Sequence, residues 1–178
     1  SIVKSGLILN LDPSRKSSYP NSGTTWNDIS GNGYNGTMVN GPVFGTASGG
    51  EITFDGVNDY ASFPVINTGN VFTVQVWAKI SRFGGGMAWN RGTLVNNSYN
   101  WGGNTGFFFF VTSQAGSGSS YAATPGMETF SIAIGQDVTG ASAYIGSLTN
   151  YVNKWVNLTA VLNGTNPIKL YINGVEVS

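Results

Sequence analysis

The residues of this chain with the most evident chemistry are acids and amides, gathered in two short segments near its start. The first segment, Trp26 to Pro42, places one acid, Asp28, among three Asn-Gly steps that are typical of tight turns, Asn32-Gly33, Asn35-Gly36 and Asn40-Gly41. The second, Glu51 to Tyr60, is a short apolar run that leads into an Asp- and Asn-rich turn. Carboxylate and amide oxygens on flexible loops are the ligands that Ca²⁺ prefers. The candidate calcium ligands are Asp28, Asn32, Asp55, Asn58 and Asp59.

A second interpretation of the same residues is turn chemistry. Asp and Asn side chains accept hydrogen bonds from their own backbone a few residues on, and Asn-Gly supplies two positions that tolerate positive φ. The spacing does not match the EF-hand loop, so the pattern alone leaves both interpretations open. If Asp28, Asp55 and Asp59 converge on Ca²⁺, added calcium is expected to raise the melting temperature.

Aromatic residues in the middle of the chain offer a different chemistry, carbohydrate binding. One face of a sugar ring stacks on an exposed aromatic ring, while its hydroxyls hydrogen-bond to neighbouring amides. A ligand-binding rim is expected on loops. The alternative for these side chains is contact with a neighbouring subunit or simple packing. Trp77 and Trp155 fall in regular apolar runs and are expected in the core. The candidate ligand-binding residues are Trp89, Tyr99, Trp101 and Tyr121.

Alternation of period two indicates the strands that position these residues. Trp155 to Val177 alternates and contains Asn163-Gly164 and Asn173-Gly174, which predicts a three-stranded meander. Gly106 to Val111 is continuously apolar, which favours a strand covered on both faces. Ser81 to Gly106 and Ser113 to Gly126 are predicted to be long loops. One apolar face of a further strand comprises Phe72, Val74, Val76, Ala78 and Ile80.

Composition indicates one all-β domain over residues 1–178. Charged residues are 9% of the chain, far below the ~25% of typical soluble domains, while hydrophobic residues reach 40%. The net charge is zero, and no basic stripe suited to nucleic acid is present. No run reaches the ~18 apolar residues of a membrane span, so membrane insertion is not expected. Cysteine is absent, which favours a particle assembled in the cytosol over a disulfide-stabilised secreted protein.

Four stretches carry a resemblance to a known family. They are GLILNLD from Gly6, EITFDGVNDYASF from Glu51, FTVQVWAKI from Phe72 and WVNLTAVLNGTNPIKLYINGVEV from Trp155. Together they resemble a laminin-G-like domain of the concanavalin A-like jelly-roll class. The resemblance implies an antiparallel β-sandwich, often with calcium in its loops. Relatives whose N-terminal part is similarly rich in Asn-Gly steps are frequent in bacterial surface proteins and large phage structural proteins. The resemblance therefore implies a location on a virion surface or outside the cell.

Catalysis is not expected. The same jelly roll carries glycoside hydrolases, which need two carboxylates across one cleft. None of the eight acids shows the Glu-x-Asp-x-x-Glu spacing of the related glucanases. The chain also contains no histidine or cysteine for a triad or a thiol nucleophile.

The function expected from these patterns is a non-catalytic structural or adhesion module of a virion, such as a capsid decoration, fibre or tail protein. Its partners are expected to be other subunits or surface glycans. The alternative is a secreted or cell-surface lectin-like module, with or without calcium. The family normally adds strands after the hairpin at Ile168 to Val177. The sandwich is therefore expected to be completed by a longer polypeptide or by a strand from a neighbouring subunit.

Overall fold

The computed structural model describes residues 3–69, 71–81, 92–97, 106–112, 129–134, 142–144, 148–164 and 167–177. Within these ranges the regular structure is almost entirely β-strand, with two short 3₁₀ helices and no α-helix. The prediction of an all-β chain is therefore confirmed. The strands are β1 (Thr25–Trp26), β2 (Gly36–Val39), β3 (Val43–Gly45), β4 (Glu51–Thr53), β5 (Tyr60–Ser62), β6 (Val71–Lys79), β7 (Gly92–Asn97), β8 (Phe107–Thr112), β9 (Thr129–Ile134), β10 (Ser142–Tyr144), β11 (Trp155–Asn163), β12 (Lys169–Ile172) and β13 (Val175–Glu176), and the 3₁₀ helices are Ala47–Gly49 and Leu148–Tyr151.

The chain divides into two compact units, Ser1–Ile66 and Asn67–Ser178. The first unit contains a three-stranded sheet of order β1-β2-β5 and the separate hairpin β3-β4, both antiparallel. Its strands are short, and its buried side chains include Ser18, Tyr19 and Met38. The Tyr19 hydroxyl donates to the Gly23 carbonyl at 2.7 Å, which ties the loop before β1 together. The expectation of a single domain over 1–178 stays a prediction.

Two Asn-Gly steps show different uses of glycine. Asn173 and Gly174 have φ of 49° and 81° and join the paired strands β12 and β13, as expected for a tight hairpin turn. Gly36, by contrast, begins strand β2, where a Cβ would overlap the ring of Phe63. The interpretation of Asn35-Gly36 as a turn is therefore wrong. Glycine is needed there for close approach and not for positive φ.

The second unit contains two four-stranded antiparallel sheets, of order β13-β12-β11-β6 and β10-β9-β8-β7. Strands β6 and β11 pair along nine residues, from Val71 opposite Asn163 to Lys79 opposite Trp155. The rings of Phe72 and Phe107, one from each sheet, have centroids 4.8 Å apart. Side chains from both sheets form one buried cluster, which comprises Phe107, Phe109, Val111, Phe130, Ile132, Val156, Leu158, Ala160, Leu162, Leu170 and Ile172.

The predicted alternation and meander are confirmed. Phe72, Val74 and Val76 of β6 pack against the buried cluster, and β11, β12 and β13 pair consecutively. In the Phe-rich strand β8, Phe107, Phe109 and Val111 are buried. The predicted burial of the opposite face concerns Phe108 and Phe110, whose side chains are outside the described part of the structure.

The long loop predicted between residues 81 and 106 is wrong over one stretch. Residues 92–97 form strand β7, which pairs with β8 through a register shift between Thr93 and Val95. Leu94 and Val95 pack against the buried cluster. The sequence did not reveal this strand for two reasons. Gly- and Asn-rich segments flank it, and the irregularity between Thr93 and Val95 interrupts its alternation.

The central position of Leu158 predicts a large stability effect. Its side chain is 1% exposed, so Leu158→Ala removes buried methyl groups and leaves a cavity. We expect a loss of about 2–5 kcal/mol in the free energy of unfolding, measured by chemical denaturation. Val71→Ala is the matched control, because Val71 is 61% exposed at the end of the neighbouring strand. Equal losses for the two variants would contradict the assignment of the core.

Candidate functional site

The side of the β6-β11-β12-β13 sheet that faces away from the buried cluster carries an unusual set of side chains. Trp77 is 62% exposed and Trp155 is 36% exposed. The expectation that both lie in the core is therefore wrong. We call this surface the aromatic–polar face, and its central residues are Gln75, Trp77, Lys79, Trp155, Asn157, Thr159, Lys169, Tyr171 and Glu176.

Strand register brings the two tryptophans together. Trp77 lies opposite Asn157, and Trp155 lies opposite Lys79, so the two indoles are diagonal neighbours on adjacent strands. Such diagonal positions are about 7–8 Å apart, within reach of aromatic side chains. The face therefore presents two indole rings from two strands that pair with each other along nine residues.

A row of linked polar side chains borders the tryptophans. The Gln75 Nε2 donates to Asn157 Oδ1 at 3.1 Å and to Thr159 Oγ1 at 3.2 Å. The Thr159 hydroxyl also donates to Asn157 Oδ1 at 3.0 Å. Asn157 is only 7% exposed, and its Nδ2 finds no acceptor among the residues that the structure describes. A buried amide N–H without an acceptor lowers the stability of the fold, because the group loses its hydrogen bonds to water and gains none in return.

The aromatic–polar face carries three charged side chains, Lys79, Lys169 and Glu176, of which Lys169 and Glu176 form an ion pair. Lys169 Nζ lies 3.0 Å from Glu176 Oε2, and the Tyr171 hydroxyl donates to the same oxygen at 3.2 Å. The hydrogen bond from Lys169 lowers the pKa of the Glu176 carboxyl and raises that of Lys169 itself. The face therefore offers hydrogen-bonding groups and aromatic rings with little net charge.

A sequence signal for this face was present in the alternation. Trp77 is in phase with Thr73, Gln75 and Lys79, and out of phase with the apolar residues of β6. Trp155 is likewise out of phase with Val156 and Leu158. The period-two pattern assigns both tryptophans to the polar side of their strands. The prediction that they lie in the core followed from the hydrophobicity of tryptophan and not from this pattern.

Asp28 is the hydrogen-bond centre of the first acidic segment. Its Oδ1 accepts from the backbone N–H of Asn10 at 3.0 Å and of Ser30 at 2.8 Å. Its Oδ2 accepts from the Ser30 hydroxyl at 2.8 Å and from the N–H of Tyr34 at 3.1 Å. Partial burial opposes ionisation, but these hydrogen bonds together hold the pKa of Asp28 below its ordinary value. Asp28 thereby fixes the loop between β1 and β2 to the N-terminal segment.

Asn32 belongs to the same loop. Its Nδ2 donates to the carbonyl oxygens of Leu7 at 2.9 Å and Ile8 at 3.0 Å. The Ser30 hydroxyl donates to the Ile8 carbonyl as well, at 2.9 Å. Asp28 accepts from the Ser30 N–H two residues on, as turn chemistry predicts, whereas Asn32 holds carbonyl groups of a distant segment.

The second acidic segment forms a compact turn between β4 and β5. Asp55 Oδ1 accepts from the N–H groups of Val57 at 2.8 Å, Asn58 at 3.2 Å and Asp59 at 3.3 Å. The Val57 hydrogen bond is the main reason that the pKa of Asp55 is lowered. Asp59 Oδ2 accepts in return from the Asp55 N–H at 3.0 Å. The Asn58 carbonyl accepts from the Asn40 amide at 2.7 Å.

These contacts bring Asp55, Asn58 and Asp59 together, while Asp28 and Asn32 hold a different loop. Among the described residues, no group of three or more acidic, histidine or cysteine side chains could hold a metal ion. The carboxylate oxygens of Asp28 and Asp55 accept backbone hydrogen bonds instead. The geometry favours turn chemistry for both segments, and calcium binding stays a prediction.

The loop aromatics proposed as ligand-binding residues, Trp89, Tyr99, Trp101 and Tyr121, lie outside the described residues. Their role stays a prediction. No helix in the described part of the chain is long and apolar enough to cross a membrane. Comparisons with family models, curated proteins and solved structures give no match for this chain.

Asp28 predicts an acid-sensitive contribution to stability. Because its pKa is lower in the folded chain than in the unfolded one, ionised Asp28 stabilises the fold above the ordinary pKa near ~3.9, and this contribution disappears as the pH falls through the folded pKa. Asp28→Asn keeps the shape but replaces one acceptor oxygen with a donor. We expect it to lower the free energy of unfolding by about 1–3 kcal/mol at pH 7, measured in urea.

The pH itself provides the control for this prediction. The gap between wild type and Asp28→Asn should narrow as the pH falls below the ordinary pKa of Asp, because the unfolded wild type binds a proton first, and the contribution is lost once the pH passes the lowered pKa of the folded chain. A gap that is constant from pH 7 to pH 3 would contradict a role for the ionised carboxylate.

Proposed function

We propose that this chain is a non-catalytic adhesion module with a laminin-G-like β-sandwich, displayed on a virion surface or outside the cell. Its ligand class is surface glycans, bound on the aromatic–polar face. Two antiparallel sheets that contribute to one core support the sandwich. The four sequence stretches that resemble laminin-G-like domains supply the family part of the proposal.

The observation that carries the proposal is the exposure of Trp77 in the middle of a regular strand. A side chain of this size loses favourable burial when it is left in water, and exposed aromatic patches mark interaction sites. The negative face of an indole attracts the polarised C–H groups of a sugar ring. The side chains of Gln75 and Thr159 stand next to it as hydrogen-bonding partners for hydroxyl groups, and the buried Asn157 amide oxygen accepts from both.

The described acids support a non-catalytic role. A general acid of a glycoside hydrolase needs a raised pKa so that it carries its proton near neutral pH. Asp28 and Asp55 are shifted in the opposite direction by hydrogen bonds from backbone N–H groups. Both carboxylates hold loops in shape, and this role accounts for their positions.

The second candidate is a structural role in which the same face contacts neighbouring subunits of a particle. Its support is the small net charge of the face, since the Lys169–Glu176 pair is internally compensated. Flat, weakly charged surfaces with exposed aromatic residues are typical of the centres of protein interfaces. The two candidates differ in whether the isolated chain binds a sugar.

Trp77→Ala tests the proposal directly. Wild type is expected to bind a subset of neutral glycans on an array, and the variant is expected to lose at least about tenfold in affinity for them, because the stacking surface is removed. Trp77→Phe keeps an aromatic ring and should retain part of the binding. Thermal melts of both variants should stay close to wild type, since Trp77 lies outside the buried cluster.

Two results would count against glycan binding at this face. The first is wild-type binding that Trp77→Ala leaves intact, which would move the site to the loop aromatics. The second is no glycan binding together with concentration-dependent self-association, which would favour the structural role. Repeating the array with Ca²⁺ and with chelator tests the calcium-dependent alternative; we expect equal binding, because Asp28 and Asp55 accept backbone hydrogen bonds.

A further inference from the structure

Strand β6 occupies one end of its sheet. The order β13-β12-β11-β6 leaves β6 with a partner, β11, on one side only. No strand among the described residues pairs with its other edge, which runs the full nine residues from Val71 to Lys79. The opposite end of the sheet is the two-residue strand β13. Among the described residues the longer of the two edges of this sheet is therefore at β6, while the hairpin strand β13 forms the other, shorter edge.

The core beside this edge is incompletely covered. Inward-facing residues of β11 such as Val156 and Leu158 are each 1% exposed. Their cross-strand neighbours on β6, Ala78 and Val76, are only half-buried, as is Phe72. Within the described part of the chain, the apolar layer is fully buried over β11 and only partly buried along β6. A further strand with inward apolar side chains would complete it.

Strand β6 lacks the features that usually protect an edge. Edge strands of soluble proteins are blunted by proline, by bulges, by short length or by central charges. This one is regular over nine residues and contains no proline, and its single charge, Lys79, is its last residue. Such an edge is suited to pairing with another strand.

We propose that β6 pairs antiparallel with β6 of a second copy of this chain, related by a two-fold axis. The register that pairs all nine residues places Gln75 opposite Gln75 of the second copy. Val74 then lies opposite Val76 of the second copy, and Phe72 opposite Ala78, on the side of the core. Each copy thereby covers the half-buried apolar residues of the other.

The charge pattern of β6 favours a second copy of this chain as the pairing partner. In the two-fold register Lys79 lies opposite Val71 of the second copy, so the two lysines stand at opposite ends of the paired strands. Opposed like charges destabilise strand pairs, and this pairing contains none. The self-opposed position, Gln75, is uncharged, so no like charges meet at the axis. The edge is therefore complementary to itself.

The pairing has a consequence for the aromatic–polar face. Two four-stranded sheets become one continuous sheet, and the Trp77 side chains of both copies lie on the same side of it. Trp77 is then opposite Thr73 of the second copy. A dimer would present two such faces to a multivalent surface, which raises the apparent affinity without any new contact.

Charge substitutions at the self-opposed position test the proposal by analytical ultracentrifugation. Wild type is expected to form dimers at micromolar concentrations. Gln75→Lys and Gln75→Glu, measured separately, should each weaken dimerisation at least about tenfold, because like charges then meet at the axis. An equimolar mixture of the two variants should recover dimers, since lysine and glutamate now face each other. Recovery in the mixture also shows that both variants are folded.

The control is Val161→Lys, which adds the same charge to the same face on β11, away from the edge. It should leave the dimer intact. A wild-type chain that stays monomeric at all accessible concentrations would overturn the proposal. It would also be overturned by dimers that persist equally in Gln75→Lys and Gln75→Glu, or by variants whose mixture fails to associate.

Discussion

The pairing of β6 with β11 is the interaction on which the second unit depends. Nine consecutive antiparallel pairs fix which residues of each strand point to the core. A slip of one residue would exchange the two faces of a strand, moving Val74 and Val76 to solvent and Trp77 to the core. The same ladder therefore sets the hydrophobic cluster, the aromatic–polar face and the edge at β6. Its apolar side holds the register, and its polar side is free to carry function.

The first unit is held by a different means. Its strands have two to four residues each, so few backbone groups are satisfied by strand pairing. Carboxylates and amides take over this task, since Asp28 and Asn32 hydrogen-bond backbone groups of the N-terminal segment and Asp55 hydrogen-bonds those of its own turn. This arrangement gives the Asp and Asn residues of the unit a structural role. Ionised oxygens accept hydrogen bonds more strongly than neutral ones, which suits a unit with little regular structure.

A binding surface on paired strands differs physically from one on loops. The positions of Trp77, Asn157 and Thr159 are set by backbone hydrogen bonds on both sides of β11, so little conformational entropy is lost when a ligand binds. The Gln75 amide and the Thr159 hydroxyl both donate to Asn157 Oδ1, which fixes the orientation of the Asn157 amide. The surface thus combines aromatic rings with oriented polar groups and little net charge, and the proposal of glycan binding rests on this combination.

The sequence by itself determined the strand content, the Trp155 to Val177 meander, the core-facing residues of β6 and the hairpin at Asn173-Gly174. These depend on period-two alternation and on the φ values that glycine and asparagine tolerate, which are local properties. Strand β7, the close packing at Gly36, the exposure of Trp77 and Trp155 and the position of the open edge were decided only by the tertiary structure. Each depends on which strand lies alongside which other and in what register, and residues far apart in the sequence settle that jointly. The alternation along a strand predicts which residues share a face. Whether that face contacts solvent, an aromatic ring or another strand is decided only when the sheets pack.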